Sequence, residues 1–249
     1  MKIFITNDDG INAEGLTVLA RRLSLEHEVI VCAPDKERSG ASHSMSFHKP
    51  LAVRRFTSNK IRFFEVGGTP CDAVHLGMIE LLKDEPPPDM LISGINNFMN
   101  LGTDCIYSGT VNAAIDGAIC GVKSMAVSQE CGADAYYGDA AEFVAEKLQF
   151  FKDLLPDHNT IFNINIPFPR KKDIMGAVFT TTGVRAFADS YQYIEGKGYL
   201  ITGHPILLEN EAHSDIIKSL EGYITVAPVK PDFNDYALFK KLKNKRIPL

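Results

Sequence analysis

Lys2-Ile3-Phe4-Ile5-Thr6-Asn7-Asp8-Asp9-Gly10-Ile11-Asn12 is the stretch whose reading decides the fold. Ile3 to Ile5 is an apolar run of the length of a short buried strand, and Asn7-Asp8-Asp9-Gly10 closes it as a turn. Along a continuing strand Asp8 and Asp9 would point to opposite faces. Because the strand stops just before them, both carboxylates can reach one point. Two carboxylates about 4 Å apart repel by roughly 4 kcal/mol at an effective dielectric near 20. Relief comes from protonating one acid or from a cation between them. Taken alone, the pair reads equally well as a solvated Asp-Gly turn.

After this turn Leu16, Leu19, Ala20 and Leu23 fall at helical spacing, which predicts a helix over 13–25. Val29 to Ala33 reads as a second buried strand. Strand, helix and strand at this spacing make a βαβ unit, hence parallel strands and a right-handed crossover. Lys36 to Ser46 is a polar loop with four serines and His43. It leaves the carboxyl end of the second strand, on the rim that carries Asp8 and Asp9, where open α/β sheets bind ligands.

Strands are expected at 51–56 and 60–66, then a helix capped by Thr69 with Pro70 at its first position, running to about Lys83. Met90 to Ile92 is the next strand, opening into a third polar loop, Ser93 to Gly102. Tyr107-Ser108-Gly109-Thr110 leads into a helix that ends near Gly121. Ser-Gly-Thr at a helix start offers hydroxyls, free N–H groups and the positive end of the helix dipole, a set suited to phosphate; it is also an ordinary cap. A strand at 125–128, a long helix at 139–155 and a strand at 160–167 complete a Rossmann-like, mostly parallel α/β sheet with helices on both faces. Residues 1–168 form that Rossmann-like catalytic region. Residues 169–249 read as a C-terminal antiparallel excursion with strands at 178–184, 191–195 and 198–202, a short helix after Ser214-Asp215, a returning strand at 223–229 and a last helix at 236–242. The two parts are expected to make one compact unit.

The 249 residues are 45% hydrophobic and 23% charged, with a net charge of −5. That balance argues against a nucleic-acid polymer or an anionic membrane as partner. Five scattered cysteines with no Cys-x-x-Cys pair fit a reducing compartment. No signal-peptide pattern and no run of membrane-spanning length stands in the sequence, so a cytoplasmic protein is expected. The basic end (Lys240, Lys241, Lys243, Lys245, Arg246) reads as a solvated face.

Three strands thus deliver polar loops to one rim: Asp8-Asp9, the Ser39 loop, and the Asn96 loop with Ser108-Gly109-Thr110 behind it. Carboxylate, hydroxyl and amide oxygens suit a hard cation, Mg²⁺ or Mn²⁺, rather than zinc. Such an ion beside a phosphate-ready helix start suggests metal-assisted phosphoryl chemistry, in which the ion polarises phosphate oxygen and acidifies a water.

The motifs Asn7-Asp8-Asp9-Gly10, Ala33-Pro34 with Arg38-Ser39-Gly40, Gly68-Thr69-Pro70, Ser93-Gly94-Ile95-Asn96 and Tyr107-Ser108-Gly109-Thr110-Val111 resemble the ordered motif set of the SurE survival-protein family. The resemblance implies a divalent-metal-dependent phosphatase of nucleoside 5′- and 3′-monophosphates, with some members trimming short polyphosphate. It implies one metal ion per subunit (Mg²⁺ or Mn²⁺) held by Asp8, Asp9, Ser39 and Asn96. Asp8 and Asp9 would be catalytic, and Gly40, Asn100, Ser108, Gly109 and Thr110 would surround the phosphate. An extended hairpin exchanged between subunits would make the 191–202 excursion an assembly element of a homodimer or homotetramer. Two positions depart from the family pattern: Phe98 where a glycine is usual, and Asn112 in place of a small residue.

Three other readings compete. A nicotinamide enzyme would want Gly-x-Gly-x-x-Gly at the first turn, where two carboxylates stand instead. An aspartyl-phosphate phosphatase would want its two acids one residue apart. A stress-response protein could hold metal and a phosphorylated ligand without turning it over. Within the phosphatase reading, Asp8 is the residue expected to orient or deprotonate the attacking water; His43 is a candidate proton donor to the leaving oxygen, although a loop histidine that merely hydrogen-bonds is the commoner case.

Overall fold

The computed structural model describes residues 1–132, 135–156, 159–168, 170–206 and 208–247. Its strands and helices follow in the order β1 (Lys2–Thr6), α1 (Glu14–Leu23), β2 (Glu28–Pro34), β3 (Val53–Ser58), β4 (Ile61–Val66), α2 (Pro70–Leu76), β5 (Met90–Asn96), α3 (Gly109–Ile119), β6 (Ser124–Gln129), α4 (Gly138–Leu154) and β7 (Ile161–Ile166). Beyond them come β8 (Gly176–Phe179), β9 (Ala186–Phe187), β10 (Ser190–Ile194), β11 (Gly198–Thr202), β12 (Pro205–Ile206), α5 (Asp215–Leu220), β13 (Tyr223–Val229) and α6 (Tyr236–Leu242).

A nine-stranded sheet has the order β3-β4-β2-β1-β5-β6-β7-β13-β8. β4, β2, β1, β5, β6 and β7 run parallel; β3 lies antiparallel on one edge, and β13 pairs antiparallel with β7. The chain leaves β1 towards β2 and β4, then returns to β5 and continues through β6 to β7. The strand order therefore reverses between β1 and β5, and such a switch point opens a crevice at the carboxyl ends of the strands.

Both faces are covered. Leu16, Leu19, Ala20 and Leu23 of α1 and Val144, Leu148 and Phe151 of α4 pack with Ile3, Ile5 and Val31 on one face. Ala73 and Val74 of α2 and Val111, Ala114 and Ile115 of α3 pack with Phe4, Ile30 and Leu91 on the other. Buried from both sides, β1, β2 and β5 are nearly continuous apolar runs, as parallel central strands must be.

The βαβ opening, the capped α2 and α3, and the final strand and helix stand where the sequence expects them. β5 does not end at Ile92. It runs to Asn96, because Ser93 and Gly94 sit in the sheet between Thr6 of β1 and Val127 of β6. A Cβ on Gly94 would meet the Val127 carbonyl at 2.3 Å, so only glycine continues the strand there. The helix expected to reach Lys83 is α-helical only to Leu76 and widens into a π turn over Gly77–Leu81, where Gly77 crosses the Phe4 ring. The strand expected at 178–184 is β8, which ends at Phe179. Its continuation is diverted because Gly183 N–H is drawn to Asp215 and Val184 N–H to Asn210.

The β10–β11 hairpin turns at Glu195–Gly198 as expected and leaves Tyr191, Tyr193, Tyr199, Leu200 and Ile201 exposed. α6 buries none of its residues.

Gly15 marks the tightest helix-to-sheet approach beside the crevice: a Cβ there would meet the Ile95 carbonyl oxygen at 2.1 Å. Gly15→Ala should therefore cost about 1–3 kcal/mol, the usual range for overpacking. The expected result is a lower urea midpoint with an unchanged slope; an unchanged midpoint would show that α1 can slide.

Candidate functional site

The turn after β1 is built by its own side chains. Asn7 donates through Nδ2 to the Gly10 carbonyl (3.0 Å) and accepts from the Gly10 N–H (3.2 Å). Gly10 has φ +101°, and a Cβ on it would meet the Lys36 backbone at 2.9 Å. The turn and the loop after β2 therefore lie against each other, joined by the Arg38 N–H donating to the Asp8 carbonyl (2.7 Å).

Asp8 is 5% exposed. The Thr110 hydroxyl donates to its Oδ1, and Gly109 passes so close that a Cβ would meet the Asp8 Cβ at 2.8 Å. Burial pushes the Asp8 carboxyl up from its ordinary value, opposed by the Thr110 hydrogen bond. Asp9 is half-buried and pushed up to about 6, by burial first and then by the charges of Asp8 and Glu37.

Asp8, Asp9, Ser39, Gly40, Asn96, Asn100 and Ser108 line one cleft of about 450 Å³. Ser39 donates its hydroxyl to Glu37 (2.8 Å). Asn96 commits its amide nitrogen to the Phe98 carbonyl (2.6 Å), which leaves its side-chain oxygen as the atom it can offer. Asn100 is clamped from behind. Its N–H donates to Asn165 (2.7 Å), its Nδ2 to Ser128 (2.8 Å), and its carbonyl accepts from Asn163 (2.8 Å). Ser108 caps α3, accepting from the Val111 N–H at 3.1 Å.

Two expected members stand behind the cleft rather than in it. Thr110 is wholly buried with its hydroxyl on Asp8, and Gly109 is packed against the same carboxylate. His43 is not brought to the cleft wall: its Nε2 lies 3.2 Å from Asp116, on α3 beyond Thr110. Asn112 donates to the carbonyls of Cys105 and Ser108, closing the turn before α3; its amide does what a small residue could not. Phe98 stands at the cleft wall, 62% exposed.

Sequence reasoning missed Glu37, Asn97, Asp104, Tyr107 and Phe187, which also line the cleft. Glu37 had a signal, as an acid two residues before Ser39. Phe187 had none, since β9 reaches the cleft from a distant part of the chain.

Among the described residues the lining includes four carboxylates (Asp8, Asp9, Glu37, Asp104) and no Lys, Arg or His. Asp104 is paired with Arg185 (2.8 Å). The remaining acids, a hydroxyl and an amide oxygen form an all-oxygen donor set that fits a hard divalent cation.

Fold and cleft together define a Rossmann-like α/β protein with an oxygen-lined acidic site at its switch point. The profile of the family described as "Survival protein SurE" matches residues 3–189. A relative from Alkaliphilus metalliredigens, named 5′-nucleotidase SurE, is 39% identical over 250 residues, covering 98% of both chains. A relative of the same name from Caldanaerobacter subterraneus is 38% identical, covering 99% of this chain and 98% of its own. The crystal structure of the SurE protein from Aquifex aeolicus superposes with a TM-score of 0.83 at 32% identity, over 98% of each chain. The chain belongs to the SurE survival-protein family.

Asp9 gives this site a measurable cost in the metal-free protein. An acid whose folded pKa is raised contributes stability that is complete below the ordinary carboxylate value and lost as pH rises through about 6. Asp9→Asn should therefore raise the melting temperature of chelator-treated protein at neutral pH and leave it nearly unchanged near pH 4. An equal shift at both pH values would refute the burden assigned to the Asp9 charge.

Proposed function

We propose that this chain is a metal-dependent phosphomonoesterase that hydrolyses nucleoside 5′-monophosphates to nucleoside and phosphate. The observation that carries it is the acidic cleft without a basic side chain: a doubly negative phosphate enters only with a cation. Family membership and the relatives' name, 5′-nucleotidase SurE, support the same reaction. Hydrolysis of 3′-monophosphates and short polyphosphate extends the reading.

Asp8, Asp9, Ser39 and Asn96 would hold one Mg²⁺ or Mn²⁺, which when bound polarises phosphate oxygen and acidifies water. Asp8, fixed by Thr110 and pressed by Gly109, orients the attacking water or takes its proton. Gly40, Asn100 and Ser108 border the phosphate. Thr110 acts through Asp8 and is a positioning residue. Exposed Phe98, Tyr107 and Phe187 offer faces on which a nucleobase can stack. The apolar side chains on the β10–β11 hairpin support assembly into a homodimer or homotetramer.

The test is phosphate release from nucleoside monophosphates, sugar phosphates and short polyphosphate, with Mg²⁺, with Mn²⁺ and with chelator. Release from nucleoside monophosphates that chelator abolishes is expected; tight ligand binding without release would make the protein a binder. Asp8→Asn should fold normally by circular dichroism and lose activity by about 10²-fold or more, the scale of a lost general base. Near-normal release by that variant would remove Asp8 from the chemistry. Thr110→Val should lower kcat while leaving KM close to wild type, because only the orientation of Asp8 changes.

A further inference from the structure

On the α2–α3 side of the sheet lies a second group of ligand-type side chains that the nucleotidase reaction does not use. Among the described residues, His75, Asp116 and Cys120 are the one set of His, Cys, Asp or Glu ligands whose donor atoms all lie within 4.8 Å of one another. Asp116 and Cys120 are four residues apart at the end of α3, so they share a helix face. His75 comes from the last turn of α2, with Nδ1 at 3.6 Å from Asp116 Oδ2 and 4.0 Å from Cys120 Sγ. His43, from the Ser39 loop, approaches the other carboxylate oxygen at 3.2 Å.

Asp116 is the group that demands explanation. Its side chain is 5% exposed, and Oδ2 is buried without a hydrogen-bond partner. A buried carboxylate oxygen left unpaired keeps its desolvation penalty uncompensated. The orphaned oxygen faces an imidazole nitrogen and a thiol, both partly exposed and reachable from solvent.

We propose that His75, Asp116 and Cys120 form a second metal site, distinct from the Asp8–Asp9 cleft and specific for Zn²⁺ or a cation of similar softness. An imidazole, a carboxylate and a thiolate are three zinc ligands that leave a fourth position for solvent, and sulfur discriminates against Mg²⁺. With zinc–ligand bonds of about 2.0–2.3 Å, tetrahedral neighbours stand roughly 3.3–3.7 Å apart, so the spacings of 3.6 and 4.0 Å need only side-chain adjustment. Closure releases the Cys120 thiol proton to solvent and satisfies Oδ2. The two sites are separate: Asp116 is six residues beyond Thr110, about 9 Å along the helix. A bound ion would tie α2 to α3 through Asp116, on whose other oxygen His43 of the Ser39 loop rests.

The experiment is titration of chelator-treated protein with Co²⁺, read by its thiolate charge-transfer and tetrahedral absorption bands, alongside the Zn²⁺ stoichiometry. Wild type is expected to show both bands. Cys120→Ser should lose the charge-transfer band, and His75→Ala should weaken binding at least tenfold. Asp9→Asn should keep both bands, since it alters only the cleft. Cys120→Ser should bind one Zn²⁺ fewer than wild type. No thiolate band in wild type, or a band unaffected by Cys120→Ser, would overturn the proposal. So would loss of the band in Asp9→Asn. If Cys120→Ser failed to fold, His75→Ala on the half-exposed face of α2 would still decide the matter.

Discussion

The carboxylate of Asp8 is held almost out of water at the tip of β1, and the neighbourhood is shaped by that burial. A desolvated acid is stable only with donors on it or a cation beside it. The first turn of α3 supplies the donors. Ser108 starts the helix, Gly109 has no Cβ to collide with the acid, and Thr110 turns its hydroxyl back to it. Ser-Gly-Thr is thus three separate fittings to one buried charge, and the helix start contributes positive potential from the same side. Asp9, closer to solvent, takes the remaining repulsion as a raised pKa.

The rest of the cleft is held from behind rather than from within. Asn163 and Asn165 on β7 and Ser128 on β6 fix Asn100, and Asp215 accepts N–H groups from Gly102 and Gly183. Buried amides and one buried acid thereby anchor the third loop to two strands and to the C-terminal part of the chain. Arg185 neutralises Asp104, which concentrates the unbalanced negative charge on Asp8, Asp9 and Glu37. Fixed oxygens with excess charge and, among the described residues lining the cleft, no basic side chain form a field that a divalent ion matches and a bare anion does not.

Much of this was legible in sequence because it is local. An apolar run stopped by Asn-Asp-Asp-Gly, the period of α1, and the caps at Thr69 and Ser108 each act within a few residues. The relations that were not legible join distant segments. Thr110 reads as a phosphate ligand until the fold shows Asp8 taking its hydroxyl. His43 reads either as a proton donor or, more commonly for a loop histidine, as a hydrogen-bonding residue, and its partner Asp116 comes from a distant helix. Ser93 and Gly94 read as loop because polarity is a poor guide where the strand is buried between two others. Asp215 looks like a cap residue, but it accepts N–H groups from three segments, a role no helix-start pattern specifies.

The mouth and the floor of the cleft obey different rules. Acids at the floor are costly by charge; Phe98, Tyr107 and Phe187 at the mouth are costly by exposed apolar surface, at about 25 cal/mol for each Å². Arg185, which neutralises Asp104, also lies 5.2 Å over the Phe187 ring, so one side chain links the two zones. A ligand with a charged end and a flat, largely apolar end relieves both costs at once, and a small inorganic anion relieves neither of them fully. Under the proposed function, selectivity for a nucleotide over free phosphate follows from this division: the cation and the oxygens hold the phosphoryl group, while uncovered rings favour whatever carries it in.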